Sequence, residues 1–379
     1  MKKTILRLHA LILFGLITST AALAQTSQVM PADGSLSAPS TAGVNQTALG
    51  SLSILPEADT LIYINSQRII NDALPRLMPE KDLADLRKTM ADINQFAGVD
   101  PGRVDYLLIA IRFRKPNADL NFMPPDFMAV ASGDFSADSL FSLARLAAGD
   151  RLREEKYGAK TLALMTIDSI ATEAEKNPFL KSISEIGIVP LNATTIAVGT
   201  AAYLKAAVDV AEGDGQGRLS SESLNSLVRD PNALISTAGS PWTSFSKSVG
   251  LLGTEANPRT PGCDFKFGDF YAALTMDTAN FTLRGALNAD NPDTAKILNG
   301  FIAGLLRQGA SFVPDKTAQS ALQNLAFSAE GNEVVVRADF PHQMVLDFIK
   351  ERTKPKKQEA AAAEAKPTRK PIRKRRPRR

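Results

Sequence analysis

Four times along this chain two apolar runs, in three of the pairs joined by a short turn, lead into an amphipathic helix, and no other feature limits the fold as much. The paired runs are 106–113 with 127–134, 183–189 with 194–199, 270–276 with 281–287, and 325–329 with 333–339. Each has the length of a strand. Connections such as Asp277-Thr278-Ala279-Asn280 and Glu330-Gly331-Asn332 are short enough to close hairpins.

The helices follow at 137–148, 201–211, 292–307 and from 341 onward. In the first, Leu140, Leu143, Ala144 and Ala147 fall on one face, with Ser136 as N-cap. Leu204, Ala207, Val208 and Ala211 are in phase in the second. Ile297, Leu298, Phe301, Ile302 and Leu305 form the stripe of the third, which Asn291 caps and Pro292 opens. Pro341 opens the fourth, with Met344, Val345, Phe348 and Ile349 as its apolar side. Proline in a first turn sacrifices no hydrogen bond, so it marks helix starts.

Two further strand–helix pairs open the two halves. Residues 60–65 lead into a helix from Ser66, and 233–238 lead into Ser240-Pro241. The body therefore divides into an α+β lobe over 51–215 and a second over 220–353, with the glycines 213, 215 and 217 between them. Hairpins followed by helices predict two similar lobes of mostly antiparallel sheet, helices on one face, built from repeated β-β-α units.

Leu55-Pro56-Glu57-Ala58-Asp59 before the first strand, Leu74-Pro75 after it, and Gly98-Val99-Asp100-Pro101 before the next strand form a recognisable series. Over residues 52–135 it resembles a group of uncharacterised exported proteins of bacteria such as acidobacteria. The resemblance implies export and a repeated α+β body, and it carries no catalytic residue over.

The ends of the chain differ from the body. Lys2, Lys3 and Arg7 precede the apolar run 8–17, and Ala22-Leu23-Ala24 stands before Gln25. Charge, a short apolar segment and small residues at −3 and −1 are the pattern of a signal peptide over 1–24. The run is shorter than the roughly 20 residues a bilayer needs, and later apolar stretches such as 106–113 and 301–306 are shorter still. The mature chain is expected to have no transmembrane segment and to lie in the periplasm or outside the cell, peripheral to the envelope.

Residues 25–50, rich in Ser, Thr, Ala and Gly, read as a disordered linker. Residues 354–379 hold twelve Lys or Arg against two Glu, a net of +10, with Ile372 as the single large apolar side chain. Such a segment buries too little to offset its ordering entropy and is expected to be disordered. The whole chain carries +4; removing +10 for this tail and +3 for residues 1–24 leaves −9 for 25–353. An acidic body with a basic arm points to an interaction tail.

Residues that carry chemistry are sparse. Outside 1–24, which hold His9, the only histidine is His342, and the only cysteine is Cys263 in Thr260-Pro261-Gly262-Cys263-Asp264. His-rich or Cys-rich metal sites and internal disulfides are therefore excluded, and a triad would need His342. Ser244-Phe245-Ser246-Lys247 matches the S-x-x-K of serine β-lactamases and penicillin-binding proteins. Its companions fail: Ser223-Leu224-Asn225 precedes it, and Lys316-Thr317-Ala318 lacks the glycine. Gly213-x-Gly215-x-Gly217 follows a helix and not a strand, so it is no phosphate-binding turn. No cofactor is expected.

The tail is the expected site, through Arg369, Lys370, Arg373, Lys374, Arg375, Arg376, Arg378 and Arg379. Its partner would be an anionic envelope polymer or lipid headgroups, since a basic residue near an anionic surface gains about 1 kcal/mol. Without aromatic side chains to stack on bases, the tail is not expected to read nucleic acid specifically. The body would bind a protein or a small ligand. The alternative is a carboxylate-based hydrolase of envelope polysaccharide, drawing on pairs such as Asp264 with Asp269 or Asp134 with Asp138. N-terminal sequencing of exported protein is expected to begin at Gln25; a mature form retaining Lys2 and Lys3 would overturn the export expectation.

Overall fold

Antiparallel pairing runs without a break across all the named strands, which form one sheet of 12 strands. The computed structural model describes Leu52 and residues 55–113, 125–166, 185–213, 217–240, 267–310 and 316–353. The strands are β1 (Thr60–Asn65), β2 (Val104–Arg112), β3 (Asp126–Gly133), β4 (Leu152–Tyr157), β5 (Lys160–Thr166) and β6 (Glu185–Asn192). They continue with β7 (Thr195–Thr200), β8 (Ile235–Gly239), β9 (Phe267–Met276), β10 (Asn280–Ala289), β11 (Ala326–Glu330) and β12 (Glu333–Pro341). Their spatial order is β11-β12-β10-β9-β8-β1-β2-β3-β7-β6-β5-β4. The class is α+β, as the sequence predicts.

Outward from the centre, this order is the same in both directions. β1, β2, β3, β7 and β6 on one side correspond to β8, β9, β10, β12 and β11 on the other. The two series meet where β1 pairs antiparallel with β8, from Thr60 opposite Gly239 to Ile64 opposite Ile235. The relation is a local two-fold perpendicular to the sheet. The halves are thus joined edge to edge in one sheet instead of forming two separate ones. The first half alone adds a β4–β5 hairpin outside β6.

The helices are α1 (Glu80–Ala97), α2 (Ala137–Ala148), α3 (Ala201–Glu212), α4 (Ser221–Leu227), α5 (Pro292–Ala310), α6 (Lys316–Gln323) and α7 (His342–Thr353). Between β1 and α1 the chain winds through Ser66–Arg68, a π-helical turn at Ile69–Ala73 and Leu74–Leu77. Each of the four β-β-α units is present: β2-β3-α2, β6-β7-α3, β9-β10-α5 and β11-β12-α7. Ser136 caps α2 by accepting from the Ser139 amide at 3.2 Å, and Asn291 accepts from the Thr294 amide at 2.8 Å. Pro341 ends β12, and α7 starts one residue later. The β4–β5 hairpin is absent from the sequence expectation because Leu-Arg-Glu-Glu-Lys-Tyr offers little apolar alternation to detect.

α2 and α5, which follow the equivalent strands β3 and β10, share one face of the sheet. Phe141 of α2 packs with Ala163 and Ile196, and Leu298 of α5 packs with Val334. α7 joins that face through Val345 and Leu346 against Phe281. The opposite face in the first half is covered as well, by α3 and α4 over the largest core cluster. Leu61, Leu108, Met128, Val130, Leu164, Leu204, Val208 and Leu227 meet there. Hence β2 is apolar on both sides, with Leu108 and Ala110 facing α3, and Ile109 and Ile111 facing the other layer. Each large apolar side chain buried in this way contributes about 1.5–3 kcal/mol.

Gly239 marks the junction of the halves. Its φ is +155°, and a Cβ there would stand 2.1 Å from the Asp59 carbonyl oxygen. Gly98, the C-cap of α1 at φ +64°, has open space instead. Gly239→Ala is expected to cost about 2–4 kcal/mol in urea unfolding, combining overpacking with backbone strain. Gly98→Ala is expected to cost only about 1 kcal/mol, since it carries the left-handed penalty alone. Equal losses in the two variants would show that the β1–β8 junction is not under this constraint.

Candidate functional site

Every residue the sequence nominates for the tail site, Arg369, Lys370, Arg373, Lys374, Arg375, Arg376, Arg378 and Arg379, lies outside the described residues. Ser244, Lys247, Cys263 and Asp264 lie outside them too. The last described residue, Thr353, closes α7.

Among the described residues, polar side chains converge at one end of the first-half sheet. Asp126 opens β3 with only 2% of its surface exposed, directly opposite Arg112. The Arg112 guanidinium donates to Asp126 Oδ2 at 3.1 Å and lies over the Tyr203 ring, 4.5 Å from its centroid. Thr200 Oγ1 donates to Asp126 Oδ1 at 2.9 Å. Tyr203 Oη in turn donates to the Glu57 carbonyl at 2.9 Å, and Asp59 accepts from the Phe113 amide at 2.7 Å. A buried carboxylate is tolerable only when its oxygens are engaged, and here both are.

This cluster ties together the approach to β1, the end of β2, the start of β3 and the start of α3. The connections 114–124, 167–184 and 241–266 all leave the sheet at the same end, from β2, β5 and β8. A rigid sheet end with several connections is the usual platform for a binding surface. The chemistry suits a lock more than a catalyst, because Asp126 is committed to Arg112 and Thr200.

The other nominated groups do not join this cluster. Asp134 pairs with Arg103 at 2.5 Å, and Asp138 sits exposed in the first turn of α2. Asp269 lies exposed in β9. His342 donates its backbone amide to the Ala279 carbonyl and sets its ring 5.1 Å from that of Phe281. Among the described residues its Nε2 has no hydrogen-bond partner. Nearby, the amides of Ala279 and Asn280 hold the Asp277 carboxyl below the usual carboxylate range. Among the described residues, no group of three or more His, Cys, Asp or Glu side chains is placed to hold a metal ion.

The Arg112–Asp126 pair is what the sequence reading missed. Its signal was available, since a charged residue abuts each of the apolar runs on either side of one connection. Deciding that the two meet required the register of β2 on β3.

Tyrosines also lie on this covered face, with Tyr63 and Tyr106 several residues along the strands from Arg112. Tyr63 stacks on Tyr106 with centroids 5.5 Å apart. Burial, together with the neighbouring Tyr106 and Asp105, pushes the Tyr63 phenol up to about 12. Burial raises Tyr203 as well, against the opposing pull of Arg112.

No family model and no curated protein matches the chain. Solved structures do: it is similar to three crystal forms of the protein TP0453. For form I the identity is 12% over 79% of this chain and 96% of that one, with a TM-score of 0.40. Forms III and IV give 11% identity each, with TM-scores of 0.40 and 0.38. They cover 79% and 80% of this chain, and 97% and 98% of theirs.

A phenol whose folded pKa lies above its unfolded value of about 10 stabilises the fold below pH 10, and the contribution is lost as pH rises. Unfolding free energy is therefore expected to fall between pH 10 and 12, the upper limit being the Tyr63 value. Tyr63→Phe should flatten that decline in urea titrations. An equally steep decline in the variant would remove Tyr63 as its source.

Proposed function

We propose that this chain is an exported, non-enzymatic binding protein whose basic C-terminal segment docks on an anionic envelope component. The observation that carries this reading is the charge division, +10 over residues 354–379 against −9 over 25–353. A surface that attracts the tail repels the body, so contact is confined to the arm and the body is held clear for a partner of its own. The signal-peptide pattern of residues 1–24 supports export. No helix among the described residues is long and apolar enough to cross a membrane. Attachment through an electrostatic arm suits such a body.

The partner class is anionic lipid headgroup or acidic polymer. Affinity for such a partner depends on released or screened counterions, and at physiological salt the screening length is already about 8 Å. The body's protein partner would meet the sheet end that the buried Arg112–Asp126 pair braces, from which the three long connections leave the strands.

Co-sedimentation with anionic vesicles at about 50 and 300 mM salt tests the docking reading. Mature full-length protein is expected to bind at the lower salt and to lose most of its binding at the higher. A chain ending at Arg352 should not bind at either. Equal sedimentation of the two chains would refute the tail as the docking element.

A further inference from the structure

The two outer edges of the sheet are unlike each other. At one end β4 presents Arg153, Glu154, Glu155 and Lys156, a strand laced with charge. Arg153 bridges Glu155 and Glu185, Lys205 bridges Glu155, and Arg145 bridges Glu154. Charged side chains along an edge strand block the approach of another strand. At the other end β11 reads Ala-Phe-Ser-Ala-Glu, without Lys or Pro, and its single charge is held by Arg337 at 3.2 Å.

The local two-fold makes this difference informative. β11 occupies the place in the second half that β6 occupies in the first. β6 takes a further antiparallel strand, β5, with Ala163 opposite Ile188 through to Thr166 opposite Glu185. In β11 that same edge has no partner strand among the described residues. Its backbone orientation follows from the hairpin. Glu330 and Glu333 flank the two-residue turn Gly331-Asn332, so they form a hydrogen-bonded pair and the pairs alternate from there. The amides and carbonyls of Phe327 and Ala329 therefore point away from β12.

We infer that the open edge of β11 pairs antiparallel with β11 of a second copy of this chain, giving a two-fold dimer with one continuous sheet. The strand is self-complementary. Centred on Ser328, the pairing sets Phe327 of each copy opposite Ala329 of the other, and these residues exchange backbone hydrogen bonds. Phe327 and Ala329 lie on the face that α5 covers, so the apolar row continues across the axis. On the opposite face Ala326 stands between Arg337 of its own chain and Glu330 of the second copy, so opposite charges flank a small side chain. The chain already uses the same device once, where β1 and β8 join its two halves. The charge-laced β4 makes a head-to-tail filament unfavourable, so the assembly closes at two. A dimer also carries two basic tails, which strengthens attachment to a surface through avidity.

Sedimentation velocity of the mature full-length protein over about a hundredfold concentration range tests this, since a dimer responds to mass action. The expected result is a concentration-dependent monomer–dimer equilibrium. Ala329→Pro removes an outward amide without touching the β12 pairing, and is expected to give monomer at every concentration. Ser328→Lys places like charges across the axis and is expected to weaken dimerisation at least tenfold, with circular dichroism unchanged. The Lys variant guards against a proline variant that fails to fold. A wild-type protein that stays monomeric overturns the inference, as does a dimer that persists unaltered in a folded variant.

Discussion

The fold depends on a single edge-to-edge pairing, that of β1 with β8. Neither half closes its sheet on itself, so each presents the other with a row of unpaired backbone groups, and joining them satisfies both rows. The approach is close enough that a glycine is needed at position 239, where the Asp59 carbonyl occupies the space of a side chain. Beyond the junction the strand order follows from hairpin geometry, because each β-β-α unit lays its strands next to the one before. The covering helices then fall where the connections allow. α2 and α5 emerge at equivalent positions on one face.

The departures from the local two-fold give the molecule its distinct ends. The first half inserts the β4–β5 hairpin and so ends in a charged edge, whereas the second half ends in the short run of β11, whose single charge, Glu330, is paired with Arg337. α3 and α7 follow equivalent strands but pack on opposite faces. As a result the first half is covered on both sides, and its central strands carry apolar residues on both faces. Covering both faces also brings Asp126 under cover, which is why Arg112 and Thr200 must meet it there. The polar lock is thus a consequence of how the first half is packed.

Electrostatics divide the molecule on a larger scale. The body is acidic, and some of its charged groups form local pairs such as Arg103 with Asp134 and Arg153 with Glu185. The tail concentrates its charge in a segment whose one large apolar residue is Ile372. On the proposed reading, this charge division separates a docking arm from the folded body.

The sequence alone determined the local units. Ser136 and Asn291 as caps and short turns such as 277–280 depend on neighbours a few residues apart and recur in the structure. Strand limits came within a few residues for the same reason. The apolar stripe of 292–307, by contrast, is only partly buried, with Leu298 covered and Ile297 and Phe301 exposed. The tertiary structure decided everything that joins distant residues. That β1 accepts β8, that Arg112 lies opposite Asp126, and that α7 crosses to the face α3 avoids are matters of register and side selection. A strand's alternation cannot name its partner, and a helix's stripe cannot name the face it covers. β4 shows the limit most clearly: its charges hide the strand from the sequence and protect the sheet edge in the fold. The tail stands apart, since its charge and its lack of apolar residues are properties of composition that need no partner to be read.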